Sequence, residues 1–360
     1  MGFPTLRVVI SAVVINWNGK HYLEDCIGSL LAQDPPPDEI ILVDNHSDDG
    51  SREFVAEKFE SVRVVDTGYN AGPGYARNMG VTSAQHERVL LIDNDVTMQP
   101  GALASLVGTM DANPDAALVQ ARSLVGADTD LVHYDGTEIH FLGLLVLHNW
   151  FTPVAEAKRP PQPNGGLVAL CFLADRGKYM DSGGFNSDLF ILFEDTDLAW
   201  RLRIRGEQII LDEGALVLHG AGTKDISMRG AEAKYPARRI YLHSRNRWLV
   251  LLTCLHWRSL LFLAPAQLGY ELVQFGFAIV KLHPVAWFHG KVDLIRFLPR
   301  AFGWRRAAQS NRSVPDRELL VAGAFTLNPG LSDRGLSRVL HACMGGCSTA
   351  WWKIFGRLCG

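Results

Sequence analysis

The sequence predicts an α/β fold in which a mostly parallel β-sheet is flanked by helices and followed by a C-terminal helical region. Two observations support this prediction: strand-like and helix-like segments alternate through the first 120 residues, and the composition changes after about residue 235. Such alternation is typical of parallel sheets covered on both faces, because a crossover helix joins successive parallel strands. We expect a first domain over 1–235 and a helical region over 236–360.

The predicted strands of the first domain are short and apolar, and several end at a carboxylate. The segments between them carry apolar residues at helical spacing, and three consecutive prolines stop the first helix. The predicted strands cover 7–15, 39–44, 62–66, 88–93 and 116–122, and the predicted helices cover 21–33, 51–59, 73–84 and 101–110.

The following segment, 123–165, is less regular and rich in Gly, His and Pro, so hairpins or a substrate loop are expected there. The pattern then predicts a strand over 167–175 and a turn leading into a helix over 182–206. Residues 207–223 resemble two short strands that end at His219.

Polar residues stand at the ends of several predicted strands, where the ligands of parallel sheets gather. Asp44 and Asp66 are two of them, and Asp93 and Asp95 lie one residue apart after another apolar strand. Alternation along an extended chain points Asp93 and Asp95 to the same side. Two such carboxylates repel each other unless a cation or a hydrogen-bond cluster separates them. A metal site and a solvated turn are therefore both open.

Further candidates come from two motifs, each with a structural alternative. FEDTDLAWR places Glu194 and Asp195 at a helix start, where they either act chemically or complement the helix dipole. Asp197 and Arg201, four residues apart, are expected to form an ion pair on the helix surface. His219 precedes Gly-Ala-Gly-Thr and is either a structural histidine or a ligand suited to Mn²⁺.

The net charge of −3 conceals a strong asymmetry. Residues 1–223 carry 15 Lys and Arg against 31 Asp and Glu, whereas 224–360 carry 20 against 7. The stretch 239–291 mixes Trp, Phe and Leu with basic residues but contains no run of the roughly 20 apolar residues that a bilayer span needs. This pattern fits helices lying in a membrane interface, with an ordinary helical core as the alternative. The expected partner is an anionic membrane surface, not nucleic acid.

The six cysteines are scattered without a disulfide framework, which favours a reducing compartment. The N-terminal apolar segment lacks a basic n-region and a small-residue cleavage site, so we expect a first strand and no signal peptide. Together with the basic region, these features predict a location on the cytoplasmic face of the membrane.

In order, spacing and placement, these motifs resemble those of family 2 glycosyltransferases with the GT-A fold, over roughly residues 8–250. VVINWNGKHYLEDCIGSLL is similar to the bacterial branch often described as rhamnosyltransferase-like. The resemblance implies an inverting hexosyltransferase that uses a UDP- or dTDP-sugar, a Mg or Mn ion, and a hydroxyl of a glycan or lipid-linked acceptor.

The resemblance also implies a role for each candidate residue. Asp195 would be the general base, with Glu194 beside it as the next candidate. Asp95 would be the direct metal ligand, Asp93 would lie at the ribose and the metal, and His219 would be a second metal or diphosphate ligand. The implied nucleotide-binding residues are Asp44, Asn45, Asn70, Arg77 and Asp93.

Three other activities are compatible with parts of the pattern. A sugar nucleotidyltransferase would carry a glycine-rich loop with a basic residue after the first strand, where this sequence has NWNGKHY. A dehydrogenase would carry G-x-G-x-x-G at that place. A non-catalytic nucleotide-sugar-binding protein at the membrane would need a broken motif, but Asp95 and Asp195 are both present.

Overall fold

The computed structural model describes residues 8–126, 128–220, 235–326 and 335–360. Within these ranges, strands of the first 220 residues form a nine-stranded sheet, and a smaller three-stranded sheet lies beside the C-terminal helices. The strands are β1 (Ile10–Asn16), β2 (Glu39–Asp44), β3 (Val62–Asp66), β4 (Arg88–Asp93), β5 (Val96–Met98), β6 (Ala116–Val125), β7 (Asp128–Tyr134), β8 (Thr137–His140), β9 (Leu144–Leu147), β10 (Cys171–Asp175), β11 (Gln208–His219) and β12 (Leu320–Val321).

Helices cover both faces of the large sheet and make up most of the C-terminal region. Those of the described ranges are α1 (Lys20–Leu31), α2 (Ser51–Lys58), α3 (Pro73–Ser83), α4 (Ala102–Ala112), α5 (Arg176–Asp181), α6 (Glu194–Ile204), α7 (Ala237–Cys254), α8 (Trp257–Val280), α9 (Pro284–Ser310), α10 (Asp316–Leu319) and α11 (Gly335–Phe355).

The large sheet has the order β3-β2-β1-β4-β10-β6-β11-β5, with β7 paired to β6. Strands β3, β2, β1 and β4 are mutually parallel, which confirms the predicted β-α-β half. The second half is mixed, because β10 runs antiparallel to both β4 and β6. Where two short strands were predicted over 207–223, a single strand, β11, runs to His219, with a bulge between Asp212 and Leu216.

The apolar runs of the central strands follow from burial on both faces of the sheet. All seven residues of β1 are buried. The core cluster on one face includes Leu23 of α1, and the cluster on the other face includes Ala76 of α3 and Leu198 of α6. The register pairs Asn16 with Asp44 across β1 and β2, which brings the polar strand ends to one edge.

The C-terminal helices share a third core with the first domain. It joins Phe141 and Trp200 to Leu249 of α7, Leu263 of α8 and Cys359 near the C-terminus. None of the helices in the described ranges combines the length and the apolar character that a bilayer crossing requires. The domain boundary predicted at residue 235 stays a prediction, since 221–234 lies outside the described residues.

Close packing of α3 on β1 supplies a test of the fold. A Cβ added at Gly80 would lie 2.2 Å from Val13 Cγ1 in the core, whereas one added at Gly28 of α1 would meet no heavy atom within 4 Å. We expect Gly80→Ala to lower the free energy of unfolding by about 1–3 kcal/mol, because a core side chain must move. The control, Gly28→Ala, should leave it unchanged or raise it by up to about 1 kcal/mol, through helix propensity. Urea unfolding measures both, and equal effects would contradict the packing.

Candidate active site

Asp44 is fully buried at the end of β2, and both of its carboxylate oxygens have donors within the protein. They accept hydrogen bonds from Asn16 Nδ2 (2.7 Å), the Ser47 backbone N–H (2.7 Å) and the Ser47 hydroxyl (2.6 Å). This network fixes the turn that follows β2. The nucleotide-binding role implied for Asp44 stays a prediction.

Asn45 and Asn70 join this turn to the loop GYNAG at 68–72, which precedes α3 and which we call the glycine-rich loop. The Asn45 amide donates to Asn70 Oδ1 (3.1 Å), and its oxygen accepts from the Ala71 backbone N–H (3.0 Å). Both predicted nucleotide residues therefore lie side by side at the carboxyl edge of the sheet.

The glycine-rich loop in turn contacts the segment that precedes α6. Gly72 has a φ of 88°, and a Cβ there would lie 2.5 Å from the Phe190 carbonyl oxygen, so only glycine fits. Asn78 of α3 donates to the Phe185 carbonyl (2.8 Å) and accepts from the Tyr179 hydroxyl (2.6 Å). These contacts hold the predicted nucleotide loop against the predicted catalytic segment.

Arg77 is a buried cation paired with Asp93. Its guanidinium donates to Asp93 Oδ1 and to the Ala169 carbonyl, both at 2.5 Å, and lies 5.2 Å from the centre of the Phe185 ring. Burial raises the pKa of Asp93, and the negative charge of Asp95 adds to the effect, while Arg77 opposes it. The side chain that was predicted to bind the nucleotide thus also neutralises a carboxylate of the site.

Asp95 and His219 meet where β5 pairs with the end of β11. Asp95 Oδ2 is 3.3 Å from His219 Nε2, and the Gly220 backbone N–H donates to the Asp95 carbonyl (2.8 Å). Of the three predicted metal ligands, these two converge, whereas the carboxylate of Asp93 pairs with Arg77. The part of the chain that the structure describes contains no group of three or more His, Cys, Asp or Glu side chains arranged to hold a metal.

His133 of β7 is a site residue that the sequence did not reveal. Its Nδ1 is 3.1 Å from His219 Nδ1, so one of the two nitrogens donates and the other accepts. When Nε2 of His219 is unprotonated, its Nδ1–H donates to His133. This hydrogen bond orients the His219 ring, as a hydrogen-bond partner commonly does for a metal-ligating histidine. No motif surrounds His133 that could have identified it.

The entry into α6 is an unusual backbone held in place by α7. Leu192 and Phe193 have φ values of 68° and 71°, in the left-handed region that non-glycine residues rarely adopt. The side-chain amide of Asn246 donates to the carbonyls of Leu189 (2.9 Å), Ile191 (3.1 Å) and Leu192 (2.8 Å). Asn246, which sequence reasoning missed, therefore fixes the segment that places Glu194 and Asp195.

Glu194 and Asp195 have different surroundings. Burial raises the pKa of Glu194 to about 8, the adjacent Asp195 carboxylate adds to this shift, and Arg77 opposes it. Glu194 Oε2 is buried without a hydrogen-bond partner among the described residues. Burial also raises the pKa of Asp195, but its carboxylate accepts from the Thr196 backbone N–H (2.7 Å) and hydroxyl (3.3 Å). These two hydrogen bonds favour the charged form of Asp195, and Glu194 Oε2 has no such donor among the described residues.

The ion pair between Asp197 and Arg201 forms, but its predicted surface location is wrong. Both side chains are buried, with Arg201 Nε 2.8 Å from Asp197 Oδ2. Arg201 also donates to the carbonyls of Ser182 and Gly184, each at 2.6 Å. The pair therefore anchors the turn before α6, a task that i,i+4 spacing alone does not indicate.

These side chains form one electrostatic neighbourhood: Arg77 opposes the rise in the pKa of both Glu194 and Asp195, and Asp93 interacts with Asp95 and His219. The fold around them matches solved glycosyltransferases. The GalNAc-T7 structure with UDP, GalNAc and Mn²⁺ gives a TM-score of 0.53 at 15% identity, over 67% of this chain and 48% of that one. Staphylococcus aureus TarS 1–349 gives 0.51 at 16% identity, over 84% and 88%. The chain has the GT-A fold.

Sequence comparisons identify a family domain within the chain. Residues 11–169 match the model of glycosyl transferase family 2. The N-acetylglucosaminyl-diphospho-decaprenol L-rhamnosyltransferase of Mycobacterium tuberculosis is 24% identical over 273 residues, or 68% of this chain and 84% of that protein. The poly-beta-1,6-N-acetyl-D-glucosamine synthase of Staphylococcus epidermidis is 22% identical over 212 residues, or 58% and 48%. The chain carries a glycosyl transferase family 2 domain and is a glycosyltransferase, which confirms the family inferred from its motifs.

The raised pKa of Glu194 predicts a pH-dependent cost in stability. Because its folded-state pKa of about 8 lies above the ordinary value of 4.5, the folded state loses stability as pH rises between these values. The variant Glu194→Gln lacks the titrating group and does not lose this stability. The difference in free energy of unfolding between the variant and the wild type should therefore grow from pH 4.5 to pH 8 and reach roughly a few kcal/mol. Denaturant unfolding at several pH values measures the margin.

The control for this experiment is Glu57→Gln, on the exposed surface of α2. Its stability should follow the wild-type pH profile. A margin for Glu194→Gln that does not change with pH would contradict the burial of a titrating carboxyl group.

Proposed function

We propose that this glycosyltransferase moves a sugar, with inversion, from a UDP- or dTDP-sugar to a hydroxyl of a glycan or lipid-linked acceptor in the synthesis of a cell-envelope polysaccharide. The observation that carries this proposal is the Glu194–Asp195 pair near buried Arg77, in which hydrogen bonds from Thr196 favour the charged form of Asp195. The relative from Mycobacterium tuberculosis supports the acceptor class, since its name specifies a diphospho-decaprenol substrate.

The donor atoms near Asp95 fit a divalent cation that is shared with a substrate. Asp95 offers a carboxylate oxygen, which suits Mg²⁺ or Mn²⁺, and His219 offers an imidazole nitrogen, which favours the transition metal Mn²⁺. Two protein ligands leave coordination positions for phosphate oxygens, as is usual for such ions at nucleotide sites. When bound, the ion would neutralise charge on the leaving diphosphate. The Mn²⁺ reported with GalNAc-T7 is consistent with this assignment.

The chain's own residues have separate tasks in the proposed reaction. Asp195 accepts the proton of the acceptor hydroxyl as that oxygen attacks the anomeric carbon. A carboxylate base on the face opposite the leaving group gives inversion in a single displacement. Glu194, protonated near neutral pH, adds no second negative charge beside that base. Arg77 supplies fixed positive charge near the nucleotide, and Asn45 and Asn70 shape the loops around it.

The role of Asp95 can be tested by removing its carboxylate. Asp95→Ala should lower turnover by orders of magnitude and weaken Mn²⁺ binding, measured by calorimetry with UDP present, because a direct ligand is lost. Asp111→Ala, which removes an exposed carboxylate at the end of α4, is the control and should behave as wild type. EDTA should abolish wild-type transfer, and Mn²⁺ or Mg²⁺ should restore it. Full activity in chelator would refute the metal assignment.

The role of Asp195 can be tested without changing its shape. Asp195→Asn should retain donor affinity but reduce transfer by roughly 10²–10⁴-fold, because the amide cannot accept the proton. Mass spectrometry of the products from a panel of nucleotide sugars measures transfer and identifies the donor. Asp181→Asn, at the exposed end of α5, is the matched control. If Asp195→Asn turns over normally, the base lies elsewhere and Glu194 is the next candidate.

A further inference from the structure

Exposed apolar side chains are concentrated on α8, α9 and the turn between them. Of the 23 large hydrophobic side chains that are exposed in the described ranges, 13 lie between residues 257 and 302. Along α8, five of them (Trp257, Leu261, Leu268, Leu272 and Ile279) follow one another at intervals of four or seven residues, which places them on one face of that helix. They are Trp257, Leu261, Leu268, Leu272, Val273, Ile279, Val280, Leu282, Val285, Phe288, Val292, Ile295 and Phe302, and we call them the apolar hairpin face.

The face continues from one helix to the other. Leu282, in the turn, is 84% exposed, and Val280 and Leu272 on α8 are 75% and 73% exposed. Across the hairpin, the Phe275 ring of α8 contacts the Phe288 ring of α9, with centroids 5.5 Å apart. A contiguous apolar surface of this extent is characteristic of an interaction site.

The one acidic residue of α8 points into the protein. Glu271 pairs with Lys291 (2.6 Å) and Arg247 (3.2 Å), and it also accepts from the indole N–H groups of Trp287 (2.9 Å) and Trp248. All four partners of this carboxylate lie within the protein, so Glu271 stabilises the packing of α7, α8 and α9. The outer side of α8 is consequently free of negative charge.

The exposed charged residues around the face are all basic. Between residues 257 and 310, a stretch described without a gap, no exposed residue is acidic, and the exposed cations are Arg258, Arg296, Arg300 and Arg306. Lys281, in the turn, is half-buried with its ammonium group 5.6 Å from the centre of the Phe277 ring. The complementary partner is an apolar surface that carries negative charge.

A second copy of the chain does not provide that complement. A two-fold interface brings the same patch together from both copies, so the basic residues of one face would meet those of the other without counter-charges. A phospholipid bilayer with anionic headgroups offers both an apolar interior and negative charge at its surface.

We propose that the apolar hairpin face docks on an anionic lipid bilayer and lies in its interface. The apolar side chains of α8 and the turn enter the acyl boundary, while Arg and Lys side chains extend toward the phosphate groups. This assignment refines the membrane contact expected from the sequence over 239–291, because α7 is largely buried and the exposed face begins at α8. It does not depend on the transferase reaction.

The test is flotation of the full chain with vesicles of phosphatidylcholine, alone or mixed with phosphatidylglycerol. The wild type should bind the mixed vesicles in preference, and salt should reduce the preference without abolishing binding. The triple variant Leu272→Gln/Val280→Gln/Leu282→Gln should reduce the bound fraction at least roughly tenfold, since it removes apolar contacts with the bilayer. The control triple variant, Leu31→Gln/Val154→Gln/Met180→Gln, changes exposed apolar residues elsewhere and should bind as wild type.

Circular dichroism verifies that each variant folds. If the triple variant does not fold, the single variant Leu282→Gln at the exposed turn replaces it in the flotation experiment. A wild type that ignores both vesicle types would overturn the proposal, as would a folded hairpin variant that binds unchanged. Light scattering gives the oligomeric state in solution. A dimer that the hairpin substitutions dissociate, without vesicle binding, would instead identify the face as a contact between copies. Donor turnover measured in the same samples separates a membrane defect from a catalytic one.

Discussion

The ion pair between buried Arg77 and partly exposed Asp93 is the interaction on which the site depends. Arg77 belongs to α3, Asp93 ends β4, and the Ala169 carbonyl, which the same guanidinium contacts, precedes β10. A charge buried this deeply is tolerated only with a partner and further hydrogen bonds, so the three segments cannot separate without stranding it. The same guanidinium opposes the rise in pKa that burial causes at Glu194 and Asp195. Arg77 therefore both joins the three segments and influences the titration of the two acidic groups.

The first half of the fold could be predicted because its information is local. Each parallel strand is a continuous apolar run bounded by turn residues, and each helix between strands has its own periodicity. The second half depends on contacts distant in sequence. Strand β10 enters the sheet antiparallel between β4 and β6, and β11 bulges between Asp212 and Leu216 so that it can pair with both β6 and β5. No pattern within those segments specifies these pairings.

Some residues of the site could likewise be predicted from the sequence, and others could not. Carboxylates at strand ends and at a helix start stand out in the sequence, because a charged group next to a buried apolar strand is unfavourable unless it has a partner. His133 and Asn246 do not stand out, since their partners lie 86 and 54–57 residues away. Spacing indicated the Asp197–Arg201 pair but not its burial, which depends on the turn at Ser182–Gly184. The contrast between Glu194 and Asp195 is likewise a property of surroundings, because two adjacent carboxyl groups are chemically almost equivalent in the unfolded chain.

Asn246 and Ser244 stand two residues apart on α7 and reach in different directions. Asn246 holds the carbonyls that precede Glu194, while the Ser244 hydroxyl donates to the Trp287 carbonyl of α9, and Lys291 donates back to the Ser244 carbonyl. The segment that precedes Glu194 and helix α9 are thus fastened to the same turn of one helix. Their separation is set by the thickness of that helix, about 10 Å, with no hinge between them. Any surface docked on the apolar hairpin face is consequently kept at a set distance from the segment that carries Glu194 and Asp195.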